Sequence, residues 1–206
     1  MKKDIVNLLF DLGNVIVDID VAGAHQRLGA LLRKDAQREF IEKALVDYEC
    51  GKISTDIFIN AFLRESERHV QALDVIEAWN SMIIGAPVHR LDMLKRLKGK
   101  YHVYLLSNTN ALHLEWLHRY FRREHDITAF ERDFFTRAFY SHYIGDRKPN
   151  ASIFRYVCDE EGLEPAQTLF MDDMPENIAA ASTLGFQTWL VQPGHDISNY
   201  LSERGI

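Results

Sequence analysis

Four short polar stretches hold the residues best suited to chemistry, and apolar runs place them. Asp11, Leu12, Gly13 and Asn14 follow the run Ile5–Phe10, and Ser107, Asn108, Thr109 and Asn110 follow His102–Leu106. Asp172, Asp173, Met174 and Pro175 follow Thr168–Met171, and Gly145 to Pro149, with Lys148 inside it, lies between the second and third runs. Together they offer carboxylates from two loops, a hydroxyl with free backbone amides and one ammonium. Paired carboxylates bind a hard cation through oxygen. A cation and a lysine neutralise phosphate charge while a remaining carboxylate oxygen attacks phosphorus. Phosphoryl transfer is the chemistry that this set serves.

Each stretch has a plainer reading. Asp, Gly and Asn favour turns, so Asp11 to Asn14 could simply close a strand. Ser107 and Asn108 could cap a helix, and Lys148 could be a solvated loop lysine. Asp172 and Asp173 could cap the helix opened by Pro175. Two adjacent carboxylates buried at a strand end, however, need a cation to offset their repulsion.

The elements that must position these loops follow from periodicity. Ile5–Phe10, His102–Leu106, Thr168–Met171 and Thr188–Val191 are short apolar runs ending at polar turns, and they predict buried strands. Phe139–Ser141 is a further short candidate. Helical patterns cover Val88–Leu97, stopping at Gly99, then Ala151–Glu161, stopping at Gly162, and Pro175–Leu184, closing on Gly185. Alternation of this kind predicts an α/β fold, a Rossmann-like parallel sheet with helices on both faces and ligands at the carboxyl ends of its strands. The stretch from Val21 to Ile84 breaks the alternation with four amphipathic patterns, Ala24–Leu32, Glu39–Tyr48, Ile57–Arg64 and Val75–Met82, and Ser54 is placed to cap the third. The expected division is a core of residues 1–17 and 86–206 with a helical cap bundle, 18–85, inserted after the first strand as a lid.

With those motifs in order, the chain resembles the haloacid dehalogenase superfamily, in the branch with an α-helical cap after the first strand. The likeness rests on Phe10-Asp11-Leu12-Gly13-Asn14-Val15, Leu106-Ser107-Asn108, Arg147-Lys148-Pro149, and Phe170-Met171-Asp172-Asp173 followed by Asn177, and it spans essentially the whole chain. Asp-Leu-Gly-Asn-Val with Ser-Asn-Thr-Asn is most similar to the bacterial α-D-glucose-1-phosphate phosphatases and their relatives. The resemblance implies a Mg2+-dependent phosphatase acting on a small phosphorylated metabolite, such as glucose 1-phosphate, through an aspartyl phosphate. It implies Asp11 as nucleophile and metal ligand, the Gly13 carbonyl and Asp172 as further ligands, and Asp173 beside them orienting ligand waters or Lys148. Ser107 and the Asn108 amide would hold phosphate oxygens, and Lys148 would neutralise charge.

One position departs from the pattern. Most phosphatases of this superfamily carry an acid–base Asp two residues after the nucleophile, where this chain has Gly13. General acid–base help is worth about 10²–10⁴-fold. Its loss fits a substrate with a good leaving group, such as an anomeric hydroxyl, or a substitute near the crossing into the cap: Asp18, Asp20 or His25.

Bulk properties limit the alternatives. The chain has 206 residues, 47% of them apolar, and a net charge of −6, which argues against sequence-independent nucleic-acid or anionic-membrane binding. Cys50 and Cys158 form no pair motif and suit a reducing cytoplasm, and the run Ile5–Phe10 is too short for a signal peptide or a membrane span. His113 and His118 are five apart, which does not stack them on one helix face, so packing or surface roles are expected. Phe130, Phe134, Phe135 and Phe139 read as core or cap contacts, and the arginines from Arg119 to Arg147 as a solvated face. The turn Tyr48–Lys52 could reach the substrate, by likeness to other caps. A metal-free dehalogenase, a phosphosugar mutase and a non-catalytic binding relative are the rival readings. The Asp172–Asp173 pair speaks against the first and Gly13 against the second; retention of Asp11, Lys148 and Asp172 speaks against the third. Oligomeric state is not readable from the sequence.

Overall fold

The computed structural model describes residues 4–192 and 194–206; residues 1–3, counted above with the core, lie outside the described residues. In chain order the elements are β1 (Asn7–Phe10), β2 (Asp18–Ile19), α1 (Val21–Leu31), α2 (Arg38–Glu49), α3 (Thr55–Glu65), α4 (Ala72–Asn80), β3 (Ile83–Gly85), α5 (Val88–Lys98), β4 (His102–Ser107), α6 (Ala111–His125), α7 (Phe130–Phe134), β5 (Arg137–Tyr140), α8 (Ser141–Ile144), α9 (Ala151–Glu161), β6 (Thr168–Asp172), α10 (Pro175–Thr183), β7 (Gln187–Leu190) and α11 (Ile197–Glu203). Five strands form one parallel sheet in the order β5-β4-β1-β6-β7, so the first strand is its centre.

Alternation of side chains divides the core between the two faces of that sheet. Leu8, Phe10, Val103, Leu105, Leu169 and Met171 point to one face, against α5, α6, α7 and α11. Leu9, Tyr104, Leu106 and Phe170 point to the other, against Ile153, Phe154 and Val157 of α9 and Ala181 of α10. A strand buried on both faces has no polar side to show, which is why these runs are continuously apolar in sequence. Phe130, Phe134, Phe135 and Phe139 are buried core residues.

Helices α1 to α4 build a third apolar cluster around Phe58, Phe62, Val75 and Trp79. The cluster reaches the rest of the molecule through Leu112 of α6. Asp20 caps α1 by accepting from the Gly23 amide, and Ser54 caps α3 by accepting from the Ile57 amide. The purely helical reading of Val21 to Ile84 needs a correction at its end. Ile83 and Ile84 belong to β3, which pairs antiparallel with β2, Ile19 opposite Ile83 and Asp18 opposite Gly85. The chain thus leaves and rejoins the sheet region through a two-stranded ribbon. Strands of two and three residues carry no periodicity to read. The short strand foreseen at Phe139–Ser141 is instead Arg137–Tyr140, because Ser141 opens α8. Among the described residues, no helix is long and apolar enough to cross a membrane.

Candidate active site

The central strand places the first reactive group. The Asp11 amide donates to the Met171 carbonyl at 2.8 Å, extending the parallel ladder one residue past Phe10. Asp11 therefore projects from the carboxyl end of β1, between the ends of β4 and β6, which carry Ser107 and Asp172. All three residues are buried. In a parallel sheet this edge is where strand ends and helix starts meet, leaving room for a ligand.

Lys148 joins them from the loop between α8 and α9. Its backbone is clasped by the Asn108 side chain, whose Oδ1 accepts from the Lys148 amide and whose Nδ2 donates to the Lys148 carbonyl, both at 2.9 Å. The side chain then runs inward, 1% exposed. Its Nζ donates to Asp11 Oδ1 and Asp172 Oδ2, each at 2.6 Å, and to the Leu106 carbonyl at 2.8 Å. Three donors meet three acceptors, which is what a buried ammonium requires. Burial alone lowers the affinity of Lys148 for its proton, but the charges of Asp11 and Asp172 outweigh it and raise the pKa.

Asp172 is fixed from the other side by α10. Its Oδ1 accepts from the Met174 amide at 2.8 Å and from Asn177 Nδ2 at 2.9 Å, and the same Nδ2 lies 3.0 Å from Oδ2. Asp173 stands beside it, half-buried, and accepts from Asn14 Nδ2 at 2.9 Å. Burial pushes the Asp11 carboxyl up to about 7, with Lys148 opposing and Asp172 and Asp173 reinforcing the rise. Burial and the charge of Asp172 likewise raise Asp173, against its bond from Asn14.

Asp11, Asp172 and Asp173 can each present an oxygen within 4.8 Å of the others. These are hard donors, and three carboxylates against one lysine leave two negative charges uncompensated in a largely buried place. A divalent oxygen-seeking cation fits both the donor set and the charge.

Each candidate for a substitute acid–base group has a contact of its own. Asp18 takes Arg90 Nη1 at 2.8 Å, Asp20 caps α1, and His25 is an exposed side chain whose ring lies parallel to Trp79 at 6.5 Å. Gly13 itself lies beside Asp11. A Cβ built on it stands 3.9 Å from Asp11 Oδ2 and 2.7 Å from Ile19 Cδ1, the far end of a side chain that would have to turn aside. Gly13→Asp is therefore a steric change as well as a chemical one.

The sequence reading brought Asp11, Gly13, Ser107, Asn108, Lys148, Asp172 and Asp173 to one place, and the fold gathers them. It gave no role to Asn14 or Ser141, and it covered Glu49 only as part of the turn Tyr48–Lys52. Asn14 bonds Asp173, and Ser141 Oγ accepts from the Thr109 amide at 2.9 Å while lying 2.6 Å from the Glu49 carbonyl. Glu49 in turn pairs with Arg147 at 3.0 Å, taking Arg147 off the solvated face. The turn after α2 thus docks on the loop that carries Lys148. Asn14 had one signal in the sequence, an Asn following Gly in a turn, and it adopts φ 54°. The pairs across the crevice had only the expected reach of the turn Tyr48–Lys52, with no partner named. His113 is buried against Trp79, and His118 pairs at the surface with Glu131, so both keep packing or surface roles. A 390 Å³ cavity lined by Asn14, Asp18, Arg90, Asp173 and His195 opens beside the carboxylates.

The chain is similar to known proteins over most of its length. The family model for haloacid dehalogenase-like hydrolase matches residues 5–185. D-ribitol-5-phosphate phosphatase of Bacteroides thetaiotaomicron is 32% identical over 197 residues, 93% of this chain and 94% of that protein. A HAD family enzyme from Bacteroides thetaiotaomicron, crystallised with magnesium and inorganic phosphate, superposes with a TM-score of 0.84 at 30% identity, covering 95% of this chain and 98% of the other. A HAD-like family hydrolase from Porphyromonas gingivalis gives 0.86 at 27% identity, covering 98% of both chains.

Proposed function

The chain belongs to the haloacid dehalogenase-like hydrolases, and from that premise we propose a Mg2+-dependent phosphatase of a small phosphorylated sugar or sugar alcohol. The observation that carries the reading is the ammonium of Lys148 held at 2.6 Å from both Asp11 and Asp172, with Asp173 completing an oxygen set at one sheet edge. That arrangement neutralises a phosphate and keeps a carboxylate oxygen free to attack it. The magnesium and phosphate bound by the similar Bacteroides enzyme, and the ribitol phosphate substrate of the curated relative, support the same assignment.

In this reading Asp11 Oδ1 stays with Lys148 and Oδ2 attacks phosphorus. The P–O bond to the leaving oxygen breaks as the Asp11 acyl phosphate forms, the leaving oxygen taking a proton from solvent. Water then cleaves that aspartyl phosphate to release phosphate, the Asp11 carboxylate and a proton to solvent. Ser107 and the Asn108 amide hold non-bridging oxygens. Asp11, Asp172 and the Gly13 carbonyl are the ligands for Mg2+, with Asp173 beside them. When bound, the cation supplies charge neutralisation and orients the phosphate towards Asp11. Residues 18–85 act as the lid that excludes water around the leaving group. Three clustered carboxylates favour this mechanism over metal-free dehalogenation, which needs an aspartate nucleophile but no cation for the Asp172–Asp173 pair to hold.

Gly13 favours a narrower reading of the substrate. With Ile19 over the place of an acid–base side chain, an oxygen that leaves without a proton is preferred, and an anomeric 1-phosphate offers one. Phosphate release with Mg2+ from D-ribitol 5-phosphate, hexose 6-phosphates and hexose 1-phosphates tests both levels, with Asp11→Asn in parallel. Turnover that needs Mg2+ and disappears in the variant is expected, and turnover that survives in the variant overturns the nucleophile. A 5-phosphate hydrolysed faster than every 1-phosphate would discard the leaving-group argument and keep the phosphatase.

A further inference from the structure

The side chain of Asn14 uses both of its ends. Nδ2 donates to Asp173 Oδ2 at 2.9 Å, and Oδ1 accepts from the Ile19 amide at 3.3 Å. Its own amide donates to the Val17 carbonyl at 2.7 Å, which closes the loop between β1 and β2. The left-handed backbone at φ 54° is what turns the carboxamide towards both partners. Ile19 is half of the ribbon by which the chain crosses into the helical insertion, opposite Ile83 of β3. Its side chain is also the one packed over Gly13 beside Asp11. One carboxamide therefore spans from the carboxylate cluster to the crossing strand, and the crossing strand sets the apolar wall of the reaction space.

We propose that Asn14 is a positioning residue that couples cation binding at Asp11, Gly13 and Asp172, with Asp173 beside them, to the seating of the β2–β3 ribbon and of Ile19 over Gly13. The proposal rests on the Mg2+ reading above. Its logic is linkage: if a bound cation draws Asp173 into one orientation, the Asn14 bond is strengthened and the Ile19 amide is held with it. A better-held ribbon must in turn raise cation affinity by the same factor. Loss of the side chain severs the two without touching a proposed ligand.

Asn14→Gly is the informative variant, because glycine keeps the left-handed backbone and removes only the carboxamide. Two readouts other than turnover apply: Mg2+ binding by calorimetry, and amide hydrogen exchange of residues 17–20 and 83–85 with and without Mg2+. In the unaltered protein Mg2+ is expected to slow exchange in both segments. In the variant the Mg2+ dissociation constant is expected to rise about three- to tenfold, the size one hydrogen bond supports, and exchange in the ribbon no longer responds to Mg2+. A merely structural role for Asn14 would speed exchange equally with and without the cation, and that result overturns the proposal. So does a ribbon whose exchange ignores Mg2+ in the unaltered protein although calorimetry shows binding. Absence of any Mg2+ binding to the unaltered protein removes instead the metal reading on which the coupling stands.

Discussion

Lys148 is surrounded on every donor, and that makes its removal informative. Its Nζ is the only cation in contact with Asp11 and Asp172 among the described residues. Lys148→Met keeps the length and apolar stem but leaves two buried carboxylates facing one another. Breaking one partner out of a buried charge cluster costs about 3–5 kcal/mol, so the metal-free variant is expected to unfold at markedly lower denaturant than the parent. Because charge stabilisation of the transferring phosphate is also lost, kcat is expected to fall by about 10²–10³-fold. Urea melts with and without Mg2+ check the first part: the cation should return a portion of the lost stability. A variant as stable as the parent without Mg2+ would mean that Asp11 is already protonated there, as its raised pKa allows. At this scale the sequence was most legible. A motif names a residue type at a spacing, and Asp11, Lys148 and Asp172 were named. It names Asn108 and Asn177 but not what they hold, so the double clasp of Asn108 on the Lys148 backbone and the grip of Asn177 on Asp172 appear only in the structure.

At the scale of elements, the turn between α2 and α3 fits closely against the backbone of α8. Gly51 has φ 63°, and a Cβ on it would stand 2.0 Å from the His142 carbonyl oxygen of α8. Backbone cannot step aside as a flexible side chain can, so Gly51→Ala is expected to lift the turn from α8 and strain its left-handed residue, at a cost of about 1–3 kcal/mol. The same shift would pull Glu49 away from Arg147 and from Ser141, next to the Lys148 loop. Steady-state kinetics on the best substrate of the panel should show KM raised severalfold, with the circular dichroism of the folded chain retained. An unchanged KM would show that the turn does not bear on the substrate. The helices themselves were readable, because α3 and α4 repeat apolar residues at helical spacing and α9 runs from Asn150 to a left-handed Gly162. The β2–β3 ribbon was not. Asp18 and Ile19 are extended because Ile83 and Gly85 lie beside them, a pairing across more than sixty positions that local sequence does not encode.

For the whole molecule the open question is how the helical insertion stays docked on the sheet, and His113 gives a test with a definite sign. Its ring stacks on Trp79 of α4 at 4.5 Å, and its Nε2 lies 3.1 Å from the Trp79 carbonyl, which only a protonated Nε2 can satisfy. Asn110 Oδ1 already accepts from Trp79 Nε1 and the His113 amide, so Asn110 turns its Nδ2 towards His113 Nδ1 at 3.2 Å. Nδ1 must then be an acceptor, and the ring is neutral. A second proton would set donor against donor inside the seam between insertion and core. Burial lowers the His113 pKa from 6.5 to about 4, partly offset by the Trp79 carbonyl. A histidine whose folded pKa is depressed takes its proton more readily in the unfolded chain. Stability is therefore intact above pH 6.5, falls as the pH drops below it, and levels off below about 4, with a total loss of roughly 3 kcal/mol at 1.4 kcal/mol per unit. Asp11 works in the opposite direction, since its raised pKa makes the folded chain hold a proton that the unfolded chain has shed. The two are separated by difference. Denaturant melts of the parent and of His113→Phe, which keeps the stacking and loses the titration, should diverge steadily between pH 7 and pH 4.5, the parent losing more. Parallel curves would mean that the ring takes its proton as readily in the folded chain as in the unfolded one, so that its burial in the seam does not couple docking to pH.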